Sequence, residues 1–442
     1  GRWQDYLDLL AKRRELETKE ANRLTMGIYG EALARAHIAS EQDVDAAMQA
    51  QLEQLVNDLP YDKVADNIKG SKGSTEILTR DFVLGNLDAS FQPIVDKTGG
   101  EISYDIASSL VGVSFTLDHY VDDKDAINAV YSAYLEANAV AKQDIWQERR
   151  FELAPDEDAT PVIVSVWDSG VDTAIFAARK QLWSNPREVP DNLQDDDGNG
   201  YVDDVHGIAY DLESRKDISL LYPIGELDAD EAVMQRRSKG IGDIISNIDS
   251  EEAAELRRYM ATLPQTEVKE FLESLNLYGG YAHGTHVSGI ALEGNPFARL
   301  LVARMTYGHK QIPEKPTLEK AQAEAQMFRD VATYFRAAGV RAVNMSWGGS
   351  LRGIEGALEA HDVGATPEER RALARKIYNI GDEALREAIA GSPDILFITS
   401  AGNADNDIRF DEFYPSSYDY PNLLTVGAVD LAGDETSFTS LG

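Results

Sequence analysis

The chain contains no cysteine in its 442 residues. Disulfides, thiolate metal sites and cysteine nucleophiles are therefore excluded, while the compartment stays open. Basic side chains are scarce as well, with 42 Lys and Arg against 76 Asp and Glu and a formal net charge of −34. A surface of that sign repels phosphate backbones, so nucleic acid is not an expected partner. It suits calcium binding, work outside cells or salt tolerance, and equally a plain well-solvated surface. No apolar run approaches the roughly 18 residues that read as a membrane span, so none is expected. The opening stretch GRWQDYLDLLAKRRELE has no apolar core, so no secretory signal is visible.

What is present divides by texture, as a length that suits two domains or one large domain with insertions allows. Residues 1–155 are expected to form a mainly helical N-terminal extension or prosegment. There WQDYLDLLAKRRELETKEANRLTMGIYGEALARA repeats apolar residues at helical spacing, and ASEQDVDAAMQAQLEQLV restarts the pattern with Ser40 as N-cap and Asp43 three residues on. NIKGSKGST reads as a loop, FELAPDEDATP as a linker.

Residues 156–442 read differently. PVIVSVWDSG, RLLVARM, RAVNMSWGG, DILFITSAGN and NLLTVGAV are apolar runs rich in β-branched residues, as strands buried on both faces of a parallel sheet require. ATPEERRALARKIYNIGDEALREAIAG supplies a helix, with Thr366 as N-cap, Pro367 in the first turn, Glu369 closing a capping box and Gly391 near the end. The expected fold class is α/β, a parallel sheet flanked by helices and preceded by the helical region.

Such sheets place their sites at the carboxyl ends of the strands. Asp168 ends the first strand, Asn403 follows DILFITS, and His283 opens HGTHVSGIALEG, a segment expected to enter a helix directly after a glycine-rich turn. A carboxylate that orients an imidazole, an imidazole that takes a proton and an amide N–H that stabilises an oxyanion are the parts of acyl-transfer chemistry. The pair His283 and His286 also poses a zinc alternative. Zinc helices use His-Glu-x-x-His, with ligands four apart and a glutamate base between them. Here the spacing is three, with Gly and Thr between, and zinc is set aside. His286 is expected to be an ordinary packed or hydrogen-bonded helix residue.

VSVWDSGVD, HGTHVSGI, NMSWGGS and ITSAGN resemble, in that order, the aspartate, histidine, substrate-strand and oxyanion motifs of the subtilisin-like serine proteases (subtilases, peptidase family S8). The resemblance implies a subtilisin-like fold from about Pro161 onward, with Asp168 as triad aspartate, His283 as general base and Asn403 as oxyanion donor. It further implies that Ser346, Trp347 and Gly348 pair an extended polypeptide substrate, and that Ala401 and Gly402 form part of the primary specificity pocket. Export to the periplasm, cell surface or medium is the family expectation, and no cofactor is expected for catalysis.

One departure stands out. The family's nucleophile lies in a Gly-Thr-Ser-Met-Ala type motif, and the sequence ends at TSFTSLG before any such motif. Neither Ser437 nor Ser440 has the required neighbours. The expectation is a serine beyond Gly442, in a longer product or in a C-terminal segment held as a partner, and the 442-residue piece alone should be inactive. The competing expectation is a catalytically silent binding or regulatory module.

A second site is readable in the acidic loop 191–206. Asp195, Asp197, Asn199 and Asp203 occupy the first, third, fifth and ninth places of a calcium loop, with Gly200 sixth and the Tyr201 carbonyl seventh. The twelfth place is His206 rather than Glu, so a complete EF-hand is excluded and a structural calcium ion of altered geometry is expected. Such loops are frequent between the aspartate and histidine motifs of the family. Residues 211–278 form a helical insertion, expected to be packing decoration rather than a lid, with DSEEAAELRRYMATL opened by Asp249.

Overall fold

The computed structural model describes residues 2–39, 43–225 and 230–442. Its helices are α1 (Trp3–Leu16), α2 (Glu20–Thr25), α3 (Ile28–Ala39), α4 (Val44–Asn57), α5 (Tyr61–Ile77), α6 (Arg80–Ser90), α7 (Gln92–Lys97), α8 (Tyr104–Phe115) and α9 (Val121–Asn138). They continue as α10 (Thr173–Ala178), α11 (Glu231–Ile245), α12 (Glu251–Met260), α13 (Val268–Ala291), α14 (Leu318–Ala338), α15 (Leu351–Ala360) and α16 (Pro367–Ala390). The strands are β1 (Val162–Asp168), β2 (Gly207–Tyr210), β3 (Lys216–Asp217), β4 (Ala298–Met305), β5 (Ala342–Met345), β6 (Gly349–Ser350), β7 (Leu396–Ser400), β8 (Phe413–Tyr414) and β9 (Leu423–Val426).

The chain forms two compact units. The first comprises Gly1–Phe91, Tyr104–Gln143 and Ala232–Lys269 and is helical. Its core joins Ile28, Ala32 and Leu33 of α3 to Met48, Leu52 and Val56 of α4 and Ile127 and Tyr131 of α9. The first periodic stretch is three helices rather than one, broken after Leu16 and again at Gly27, whose φ of +66° favours glycine. GSKG is not a loop either. It lies inside α5, and a side chain at Gly73 would stand 2.4 Å from the backbone oxygen of Ile244 in α11. The glycine there admits a neighbouring backbone. Arg257 of α12 closes on Glu76 of α5 at 2.7 Å. Ser250 rather than Asp249 caps α12, its hydroxyl accepting from Ala253 N at 3.0 Å. The Ser40 cap lies outside the described residues.

The second unit comprises Gln92–Ser103, Asp144–Glu231 and Glu270–Gly442. A seven-stranded sheet in the order β3-β2-β4-β1-β5-β7-β9 forms its centre. Every pairing in that sheet is parallel except β2 with β3. The five apolar runs are β1, β4, β5, β7 and β9, whereas the four-residue GIAY of β2 is too short to stand out in sequence. Because side chains alternate along a strand, Trp167 turns to one face of the sheet and Val166 to the other. Trp167 packs with Leu301, Phe328, Phe335 and Phe397, and Val166 with Phe176, Leu292, Leu300 and Val302. Both faces are covered, as the unbroken apolar runs demanded. On one of those faces α16 begins as expected: Thr366 accepts from Glu369 N at 3.2 Å, and the Glu369 carboxylate accepts from Ala365 N at 3.0 Å.

Candidate active site

Three neighbouring parallel strands, β1, β5 and β7, end on one rim of the sheet. Asp168 is the last residue of β1, Ser346–Gly348 follow β5, and Ala401–Asn403 follow β7. The expected parts therefore leave adjacent strands at the same edge.

His283 reaches this rim from within α13, not from its first turn. The helix runs unbroken through Gly279 and Gly280 for 24 residues. Gly284 explains how it docks, since a side chain there would stand 2.3 Å from the Gly170 carbonyl oxygen. Two further bonds hold the approach: Gly284 N donates to Ser169 Oγ at 3.2 Å, and Asp172 N donates to Thr285 Oγ1 at 2.9 Å. Thus the Gly-Thr between the two histidines seats the helix against the loop after β1.

The result is a 2.6 Å contact between His283 Nδ1 and Asp168 Oδ1. Asp168 is 1% exposed, and the same oxygen accepts from Ser169 N. A carboxylate only accepts, so Nδ1 carries the proton and Nε2 presents a lone pair. Nε2 has no hydrogen-bond partner among the described residues, and the side chain is 46% exposed. The hydrogen bond to Asp168 raises the imidazole pKa above its ordinary value, outweighing the opposing effect of burial. This is the geometry of an oriented base. His286, by contrast, is exposed and its side chain makes no hydrogen bond among the described residues, so it is not the packed or hydrogen-bonded residue expected.

Trp347 is fixed by its indole N–H, which donates to Trp167 O at 2.7 Å, and its ring stacks on Phe328 of α14 at 5.7 Å. Ser346 donates to Asn344 at 3.1 Å. Ala401 is buried, Gly402 has a φ of +107°, and Asn403 is exposed with no side-chain partner among the described residues. Ser440 is 3% exposed and its hydroxyl is bound to Asn406 Oδ1.

Residues 159–442 match the family model described as the subtilase family, Peptidase_S8. The chain belongs to the subtilase family. None of the curated proteins matches it. Membership gives this subtilase a function of the serine-protease type, and its mixed α/β sheet is the subtilisin fold. No helix among the described residues is long and apolar enough to cross a membrane.

The acidic loop of the subtilase is arranged differently from a calcium loop read along the sequence. Asp195 accepts from the amides of Asn199 and Gly200, and Asp203 from those of Asn192 and Leu193. Asn199 accepts from Tyr201 N and donates to Asp204 Oδ2, while the Tyr201 hydroxyl meets that of Tyr210 at 2.7 Å. Of the five residues, only Asp197 joins a convergence of carboxylates, and its companions are Glu188 and Asp204. One oxygen from each of these three lies within 4.8 Å of the others. Glu188 is 8% exposed; its Oε1 accepts from two amides, whereas Oε2 is buried without a partner among the described residues. A buried carboxylate oxygen beside two like charges is stabilised by a hard cation, so the residues fit calcium. Glu188 and Asp204 escaped sequence reading because an EF-hand template takes no ligand upstream of its first place and none at its tenth. Three other residues near the rim were also missed: Arg304, Tyr307 and Glu324. Arg304 was the most visible, a charge inside the run RLLVARM; it is 1% exposed and pairs with Asp217 at 2.6 Å.

Proposed function

We propose that this subtilase is a serine endopeptidase in which Asp168 and His283 are two members of the triad and the nucleophilic serine lies beyond Gly442. The observation that carries the reading is the 2.6 Å contact of His283 Nδ1 with a buried carboxylate, which leaves Nε2 with no partner among the described residues. His283 takes the serine proton at Nε2 as the serine oxygen attacks the scissile carbonyl. Asp168 holds the imidazole and stabilises the imidazolium, which returns the proton to the leaving amine. Asn403 donates to the oxyanion, the substrate chain extends along Ser346–Gly348, and Ala401 and Gly402 border its primary pocket. Residues 1–155 act as an extension or prosegment, and the protein works outside the cytoplasm.

Asn403→Ala in the full-length protein tests the assignment. Loss of one oxyanion donor costs about 10²–10³ in turnover with little change in KM. Unchanged turnover would remove Asn403 from the site. The silent-module reading predicts no cleavage by the full-length protein at all.

The loop's ion is a structural part of the same reading. Glu188, Asp197 and Asp204 would hold calcium, which supplies charge neutralisation and rigidity rather than reaction chemistry. The Tyr334 hydroxyl, donating to Asp204 Oδ2 at 2.6 Å, ties the loop to α14.

A further inference from the structure

A cavity of about 390 Å³ lies in the second unit, between the C-terminal half of α14 and the acidic loop. Small-molecule sites occupy about 300–1,000 Å³, so the volume suits one. None of Asp168, His283, Ser346–Gly348 or Ala401–Asn403 lines it, which separates it from the rim. Trp183, Tyr201 and Tyr334 build an aromatic wall. The Tyr334 ring meets Trp183 edge-on at 6.2 Å and Tyr201 edge-on at 5.2 Å. The Tyr201 hydroxyl is engaged with Tyr210 at 2.7 Å and that of Tyr334 with Asp204 at 2.6 Å. The two tyrosines therefore offer ring surface and no free hydroxyl.

Lys216 of β3 lines the same cavity, and its position is fixed. The ammonium donates to Gly200 O at 2.7 Å and lies 3.7 Å over the Tyr201 ring. A methyl group on Gly200 would stand 3.0 Å from it, so the glycine admits this approach. In a chain with 76 acidic residues, Lys216 nevertheless pairs with no carboxylate among the described residues. An ammonium carries three donors, and two of them have no acceptor here. Asp330, the carboxylate among the lining residues, accepts from Gln326 Nε2 at 2.8 Å. Asp197 and Asp204 of the acidic cluster do not line the cavity; four lining residues hold them from its side. Asn185, Asn199 and Tyr334 donate to Asp204 at 3.3, 2.9 and 2.6 Å, and Arg187 pairs with Asp197 at 3.0 Å. An anion in the cavity thus meets donors before it meets those carboxylates.

We propose that this cavity is a binding site for a small, flat aromatic carboxylate. The ligand ring packs on Trp183 and Tyr334, and its carboxylate accepts from the Lys216 ammonium. The aromatic wall supplies apolar area, and the lysine supplies a charge-assisted hydrogen bond from a group already held in place. The site stands apart from the rim and does not depend on reading the rim as a protease cleft.

Isothermal titration of the 442-residue chain with naphthalene-2-carboxylate tests the site, with naphthalene-2-carboxamide as the neutral compound of the same shape. One carboxylate should bind per chain, about tenfold tighter than the amide, the lower end for a hydrogen bond to a charged group. Lys216→Met keeps an apolar stem over Tyr201; it should erase that preference and leave the affinity for the amide unchanged. Thr333→Trp changes an exposed residue of α14 that lines the cavity. The indole should fill the space and remove binding of both compounds. Equal affinity for acid and amide, or a preference that survives Lys216→Met, overturns the assignment of a carboxylate to Lys216. Failure of both compounds to bind, or binding unchanged in Thr333→Trp, overturns the site itself.

Discussion

Glu324 makes a stability prediction that needs no ligand. Burial raises its folded-state pKa from 4.5 to about 7. The folded chain therefore holds this proton more tightly than the unfolded chain does. Stability from the neutral carboxyl is complete below pH 4.5, declines as pH rises through 7 and is gone above it. The difference of 7 − 4.5 = 2.5 pH units corresponds to about 3.5 kcal/mol at most, at about 1.4 kcal/mol per unit. Glu324→Gln keeps the shape and removes the titration. At pH 4 the variant and the parent should melt together. At pH 8 the variant should be the more stable by up to about 3.5 kcal/mol, or several degrees in Tm at about 2–4 °C per kcal/mol for a domain of this size class. Tryptophan fluorescence reports the transition, because Trp167 and Trp347 sit in the core and at the rim above Glu324. An identical Tm difference at both pH values would show that Glu324 does not titrate anomalously and would refute the argument.

Three more outcomes are expected. In Asp168→Asn the His283 imidazole loses the carboxylate that raises its pKa, so NMR titration of the ring should show a lower pKa than in the parent; an unchanged value would separate the two residues electrostatically. Calcium at a hundredfold excess over its Kd should stabilise the chain by about 2.7 kcal/mol, visible in Tm, and Glu188→Gln should abolish most of that gain while Asp195→Asn leaves more of it. Equal losses in the two variants would favour the EF-hand-like ligand set. Gly284→Ala places a methyl 2.3 Å from a backbone oxygen and should cost about 1–3 kcal/mol in denaturant unfolding; no loss would mean that α13 does not dock as closely as described.

The features legible in the sequence were those set by local chemistry. Five β-branched runs gave five strands because strands covered on both faces carry no polar alternation. Thr366, Pro367 and Glu369 marked a helix start because an N-cap requires those residue types at that spacing. What escaped depends on neighbours distant in sequence. Gly73 read as a loop residue and Gly284 as one residue of a helix entry, yet each lies in a helix where another backbone approaches too closely for a side chain. Position within α13 could not be judged from HGTH alone, since Gly279 and Gly280 read as a break and are helical. Glu188 resembled any loop carboxylate until the fold placed it beside Asp197 and Asp204. Glu324 carries no signal of its own in the sequence, and only the fold leaves it without a donor among the described residues.

Fluorophosphonate labelling of the natural full-length protein, followed by peptide mass analysis, tests the central claim most directly. The account predicts a label on a serine beyond Gly442, abolished by His283→Ala. A folded full-length protein that takes no label, or takes it equally without His283, would contradict it.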